Sequence, residues 1–147
     1  AGVAGTLEAY GGGAALAERI REDLAAGQQT YIAELAGGDP TRISAREWVD
    51  AIRAGDAYAQ RLQREFVEDT AQALAALVMT LDPDMIVLGT IVQQNPDLFL
   101  APIRERVKGR IWPAQRDLRI VPGELGEQLP AYAALCVAAL EDSETAR

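Results

Sequence analysis

An α/β fold, rich in helix and built on a short parallel sheet, is what this sequence predicts. Two apolar runs and the segments between them carry the prediction. Met85 to Leu88 is wholly apolar and bounded by Pro83 and Gly89, the pattern of a buried parallel strand. Leu118 to Val121 is a second candidate strand, ended by Pro122 and Gly123. From Ala57 onward the order helix, strand, helix, strand, helix implies parallel strands with helices packed on them. Two strands alone make a poor sheet, so the chain reads as a piece of a larger α/β domain.

The elements follow in order. The opening glycine-rich stretch, residues 1–13, reads as a loop with at most one helical turn. Leu16, Ile20 and Leu24 then recur every four residues, which predicts a helix from Ala14 to about Ala26 with Gly27 as its stop. Tyr31 to Leu35 fits a further short helix, closed by Gly37, Gly38 and Pro40. Ser44 and Glu47 have the spacing of a capping box, which starts a helix with Trp48 and Ile52 facing inward. Gly55 ends that helix and Asp56 caps the next.

The longest helix is expected from Ala57 to Thr80, with Tyr58, Leu62, Phe66, Leu74 and Val78 on its apolar stripe. Its last turns are apolar nearly all round, which predicts a position between two layers. Pro83 breaks it, since proline lacks an N–H and disfavours helix in the residue before it. Asp97 to about Gly109 reads as helix, although Pro102 lies within it. Leu129 to Glu141 is the last helix, followed by a frayed tail.

Composition narrows the function. The chain has 147 residues, a net charge of -8 and 49% hydrophobic residues, which suits one domain with a real core. That acidity repels phosphate backbones and anionic membranes, so neither nucleic acid nor a membrane is an expected partner. The most apolar stretch, from Ala71 to Val92, is interrupted by Asp82, Pro83 and Asp84 and cannot span a bilayer. The absence of histidine excludes Ser-His-Asp and Cys-His catalysis. Cys136, the sole cysteine, permits no internal disulfide, which fits a reducing, cytoplasmic setting. It reads first as a small buried apolar residue, with a nucleophile or redox sensor as the alternative.

Several positions invite a chemical reading. Asp82 and Asp84 flank a proline before a strand and suit metal or acid–base work, but helix-stop and strand-entry chemistry explains them as well. Gly11, Gly12 and Gly13 lead into a helix whose free N–H groups attract anions, yet they match no phosphate-loop pattern and read as a flexible turn. Glu8 has glycines on both sides, which lets a ligand approach; a solvated loop glutamate is the plainer reading. The strongest local constellation is Met85 to Leu88 running into Gly89 and Thr90, because ligands of open α/β sheets bind beyond the carboxyl ends of strands.

Three stretches together resemble the C-terminal half of the ROK family, the bacterial sugar kinases and related repressors of the actin/hexokinase-like (ribonuclease H-like) superfamily. Residues 2–16, with Gly2, Gly5, Glu8 and Gly13, are similar to the family's CxCGxxGCxE segment and the helix after it. Ala54, Gly55 and Asp56 with the long helix and residues 81–89 resemble its "GD…A" helix and "PxxIVLGGG". Ile120 through Gly126 into the last helix is similar to its closing strand, loop and helix. The resemblance spans nearly the whole chain in the right order.

It implies a C-terminal sugar- and nucleotide-binding part, residues 1–147, of a two-domain ATP-dependent hexose kinase, glucokinase-like, working with ATP and Mg²⁺. Glu8 matches the glutamate that touches sugar hydroxyls. Gly89 matches the first glycine of the turn against adenosine, with Thr90 beside it. Thr90 and Ile91 stand where the family has further glycines, a departure that bears on ATP geometry. Ala1 and Thr6 replace two zinc-binding cysteines, which implies no structural zinc. The catalytic aspartate and phosphate-gripping turns belong to the family's N-terminal half, so the fragment alone is expected to be inactive. The resemblance also implies a homodimer. An alternative from another class is the non-catalytic sugar-sensing domain of a ROK-type repressor, and a third is a packing module without a working site.

Overall fold

The structure, a computed structural model, describes Thr6 and residues 12–145, with side chains at all of these except 127 and 138–145. Helix α1 is Gly13–Ala25, α2 Tyr31–Leu35, α3 Ala45–Arg53 and α4 Ala57–Leu81. Strand β1, Met85–Leu88, is followed by α5, Thr90–Gln94, and α6, Pro96–Lys108. Strand β2, Arg119–Pro122, precedes α7, Leu129–Thr145. The two strands pair in parallel, with Met85 opposite Arg119 and Leu88 opposite Pro122. The α/β, helix-rich fold with a short parallel sheet is therefore present as the sequence implied.

Local chemistry starts the helices. The Ser44 hydroxyl accepts from the Arg46 N–H at 3.2 Å, while the Glu47 carboxylate accepts from the Ser44 N–H at 2.9 Å, completing the capping box of α3. The Ser44 hydroxyl also donates to Glu47 and, opposed by slight burial, holds that carboxyl below its ordinary pKa. Asp56 caps α4 by accepting from the Ala59 N–H at 2.7 Å. The same oxygen accepts from the Thr30 hydroxyl at 3.0 Å, and the other oxygen accepts from the Tyr31 N–H at 2.9 Å. Partial burial works to raise the Asp56 pKa, but these donors outweigh it and the carboxyl lies below its ordinary value. One side chain thus joins the starts of α2 and α4.

The core lies between α3, α4 and α6. Trp48, fully buried, packs against Phe66 and Phe99 with ring centroids 5.8 and 5.5 Å away, and those two rings are 5.3 Å apart. Its indole N–H donates to the Ala59 carbonyl at 3.0 Å, which satisfies the one polar atom that burial would strand. Glu68 on α4 pairs with Arg106 and Arg110, at and just beyond the end of α6. Pro102 sits inside α6 without ending it.

Three expectations need correction. Met85 and Val87 are 43% and 60% exposed, so β1 is half-buried on one face and open on the other, because no layer of described residues covers that second face. For the same reason Leu77, Met79 and Leu81 at the end of α4 are exposed rather than sandwiched. Cys136 is exposed, since α7 lies against little of the described core. The stretch after Gly89, to which the sequence analysis assigned no element, forms the short helix α5.

Candidate functional site

At the carboxyl end of β1 the chain turns sharply. Gly89 has an extended backbone, φ −96°, which any residue adopts, and a methyl group placed there meets nothing within 4 Å. Neither backbone nor packing among the described residues requires glycine at that point. Thr90 follows at φ +50°, the left-handed region, where a β-branched residue is strained. The strain is held by surrounding bonds. The Asn95 amide donates to the Ile91 carbonyl at 3.2 Å, and the Gln93 amide donates to the Gly123 carbonyl at 2.7 Å. Gly123 in turn donates its N–H to the Leu88 carbonyl at 2.8 Å, and a methyl group there would stand 3.2 Å from the Gln93 amide. Close approach therefore explains glycine at 123, and main chain from both strand ends fixes the turn.

This turn forms one wall of a cavity of ≈ 980 Å³. The N-terminal end of α1, with Gly12 and Gly13, lines the same cavity, and Leu16, Val49 and Phe66 are among the apolar residues around it. An apolar hollow with a few convergent polar groups is the usual form of a small-molecule site. Glu8 lies outside the described residues, so only the glycines just after it can be placed. Those glycines and the Gly89–Thr90 turn line the same cavity.

A face of α3 that the sequence analysis did not single out also lines the cavity. Arg46, Asp50 and Arg53 recur at helical spacing and all line the cavity. Their periodicity is visible in the sequence, but so is that of the buried stripe of Trp48 and Ile52, and local pattern alone does not say that the polar stripe faces a cavity. Arg53 reaches across to Asn95 at 3.0 Å and to Asp97 at 3.3 Å. With Asn95 held to the Ile91 carbonyl, this bond ties α3 to the turn. Arg53 and Asp97 are well exposed, so their ion pair contributes little beyond geometry.

The other candidates separate from this site. Asp82 and Asp84 sit at the opposite end of β1, beside Asp117 and Arg119, in a smaller hollow of ≈ 330 Å³. Asp82 ends α4 in the left-handed conformation and accepts from the Gln115 amide at 2.8 Å, which is a helix-stop role. Among the described residues no three His, Cys, Asp or Glu side chains gather to hold a metal ion. No described helix is long and apolar enough to cross a membrane.

Comparison with known proteins places the chain in a family. The model of the ROK family matches residues 1–140. A glucokinase of Thermotoga maritima is 27% identical over 113 residues, which is 77% of this chain but 35% of the relative. A ROK family glucokinase from Streptomyces griseus, solved with glucose and AMPPNP, superposes with a TM-score of 0.71 at 24% identity, over 86% of this chain and 42% of that one. A ROK family transcriptional regulator, homologous to the E. coli MLC protein, superposes at 0.67 with 20% identity, over 80% of this chain and 29% of that one. The chain thus spans well under half the length of each of these relatives.

Proposed function

The chain belongs to the ROK family, and we propose that it is the C-terminal part of a cytoplasmic, ATP-dependent hexose kinase that transfers the γ-phosphoryl group to a sugar hydroxyl. The observation that carries this reading is the shared cavity: bare main chain at Gly89 and the glycines of the α1 end face the same space. In this proposal adenosine lies against Gly89 and Thr90, and Glu8 accepts hydrogen bonds from the sugar. The residues present suit a nucleotide, since the apolar lining takes a flat base and Gly89 leaves room for it. Mg²⁺ would travel on the phosphates. The chain's own work is binding and orientation, and closure against the rest of the protein would exclude water.

Phosphoryl transfer rests on positioning and charge stabilisation. The Arg53–Asn95–Ile91 link supports the positioning part, because it holds the nucleotide-facing turn against α3. A second reading, a sugar-sensing repressor domain, is favoured by one observation: Thr90 holds a strained left-handed conformation in the turn meant for the nucleotide.

A coupled assay of ADP release from the full-length protein, run with ATP and a panel of hexoses, separates the two. The kinase reading expects ADP formation that depends on one hexose or a few. Hexose binding without AMPPNP binding or ADP release would establish the repressor reading instead.

A further inference from the structure

The cavity wall formed by α3 presents three charged side chains, and two of them make no ion pair or side-chain hydrogen bond with another described residue. Arg53 is engaged with Asn95 and Asp97. Arg46 and Asp50 are not, although they stand four residues apart, where helical pairs often form. Asp50 is exposed, lies between the two arginines on the cavity face, and is the only carboxylate among the described lining residues. The Gly89 turn lines the same cavity, where main chain and apolar side chains suit a planar base; Asn95 is engaged with Arg53 and the Ile91 carbonyl, and Thr90 and Gln94 offer only neutral groups, which leaves Asp50 the one charged acceptor.

We infer that Asp50 is the ribose-reading residue of this site, accepting hydrogen bonds from the two vicinal hydroxyls of a nucleoside triphosphate. The inference rests on the nucleotide reading of the cavity and adds to it the group that selects ribonucleotides. The chemistry is direct. A carboxylate is acceptor-only, with two oxygens side by side, and a vicinal diol offers two donors at matching spacing. Charge-assisted bonds of this kind are short and strong. A base laid against Gly89 turns its sugar toward the α3 wall, and Asp50 is the acceptor there. Arg46, one turn toward the start of α3, leaves a positive charge on the same wall where the phosphates follow the sugar. A site that hydrogen-bonds a hydroxyl discriminates against the analogue lacking it, because the acceptor is then left unpaired.

The test uses the full-length protein and calorimetric titration with ATP, 2′-deoxy-ATP and 3′-deoxy-ATP. The native protein should bind ATP roughly tenfold more tightly than either deoxy analogue. Asp50→Ala should weaken ATP binding at least to the level of the analogues in the native protein, weaken each analogue less because it keeps only one of the two hydroxyls, and leave the Michaelis constant for sugar unaffected. Asp50→Asn, which keeps one acceptor, should fall between. Asp50 is exposed and carries no packing, so unaltered thermal unfolding of both variants is expected and checks that they fold. ATP binding with the ribose preference intact in Asp50→Ala would overturn this inference alone. Absence of ATP binding in the native protein would overturn the nucleotide reading and this inference with it.

Discussion

Thr90 concentrates the tension in this site. A β-branched side chain at φ +50° brings Cβ close to the following carbonyl, a cost of roughly 1–2 kcal/mol that glycine does not carry. Glycine gives back part of that gain, about 0.4–1 kcal/mol, through the freedom it adds to the unfolded chain. Thr90→Gly should therefore stabilise the protein by up to about 1 kcal/mol, seen as a rise of roughly 2–4 °C in the unfolding midpoint. A lower midpoint would mean that the threonine side chain makes a contact worth more than its strain. Trp48 shows the opposite balance, since its conformation is relaxed and its volume is indispensable. Trp48→Ala removes the ring packed against both Phe66 and Phe99 and should cost about 3–5 kcal/mol, measured by urea unfolding. The same variant should abolish most of the buried, blue-shifted tryptophan emission, because Trp112 is 66% exposed.

At the scale of elements, Asp56 governs how α2 and α4 meet. Its folded-state pKa is depressed, so its stabilisation is complete above the unfolded value, near 4, and is lost as pH falls through the lower folded value. Asp56→Asn keeps one acceptor for the Ala59 N–H but loses the second oxygen that holds Tyr31. The variant should be less stable by about 1 kcal/mol at pH 7. That deficit should shrink below pH 4, as paired urea titrations of the two proteins will show; a deficit independent of pH would remove the carboxylate's charge from the explanation. Asp56 is also where the sequence was most legible, since a glycine stop followed by an aspartate cap is local chemistry. The capping box at Ser44 and Glu47 and the run from Met85 to Leu88 were readable for the same reason. The α3 wall was not. Which of two polar and apolar stripes faces a cavity depends on what packs opposite, and that is a tertiary fact. Helix α5 was hidden because a β-branched Thr90 in left-handed backbone contradicts local preference and is held there by Asn95 and Gln93 from outside the turn. Cys136 was read as buried because an alanine-rich run usually is, and α7 instead exposes Leu135 and Val137 beside it.

The molecule as a whole leaves apolar surface uncovered. Parallel sheets are normally covered on both faces, yet Met85 and Val87 project from the open face of β1 with nothing described above them. The relatives are more than twice as long as this chain, and in the longer kinase proposed above a further layer would pack against such a face. Val87→Lys distinguishes a covered face from a solvated one because its effect changes sign with context. In the 147-residue segment the lysine breaks an exposed apolar patch, so association seen in sedimentation should fall and solubility rise. In the full-length protein it would set a charge against a packed layer and forfeit the burial of Val87, destabilising the fold by at least about 1.5–3 kcal/mol. An unchanged unfolding midpoint in the full-length variant would mean that the face stays in water there. The Gly89–Thr90 turn, hung from the end of a half-covered sheet, would then need the Arg53 link to Asn95 more, not less.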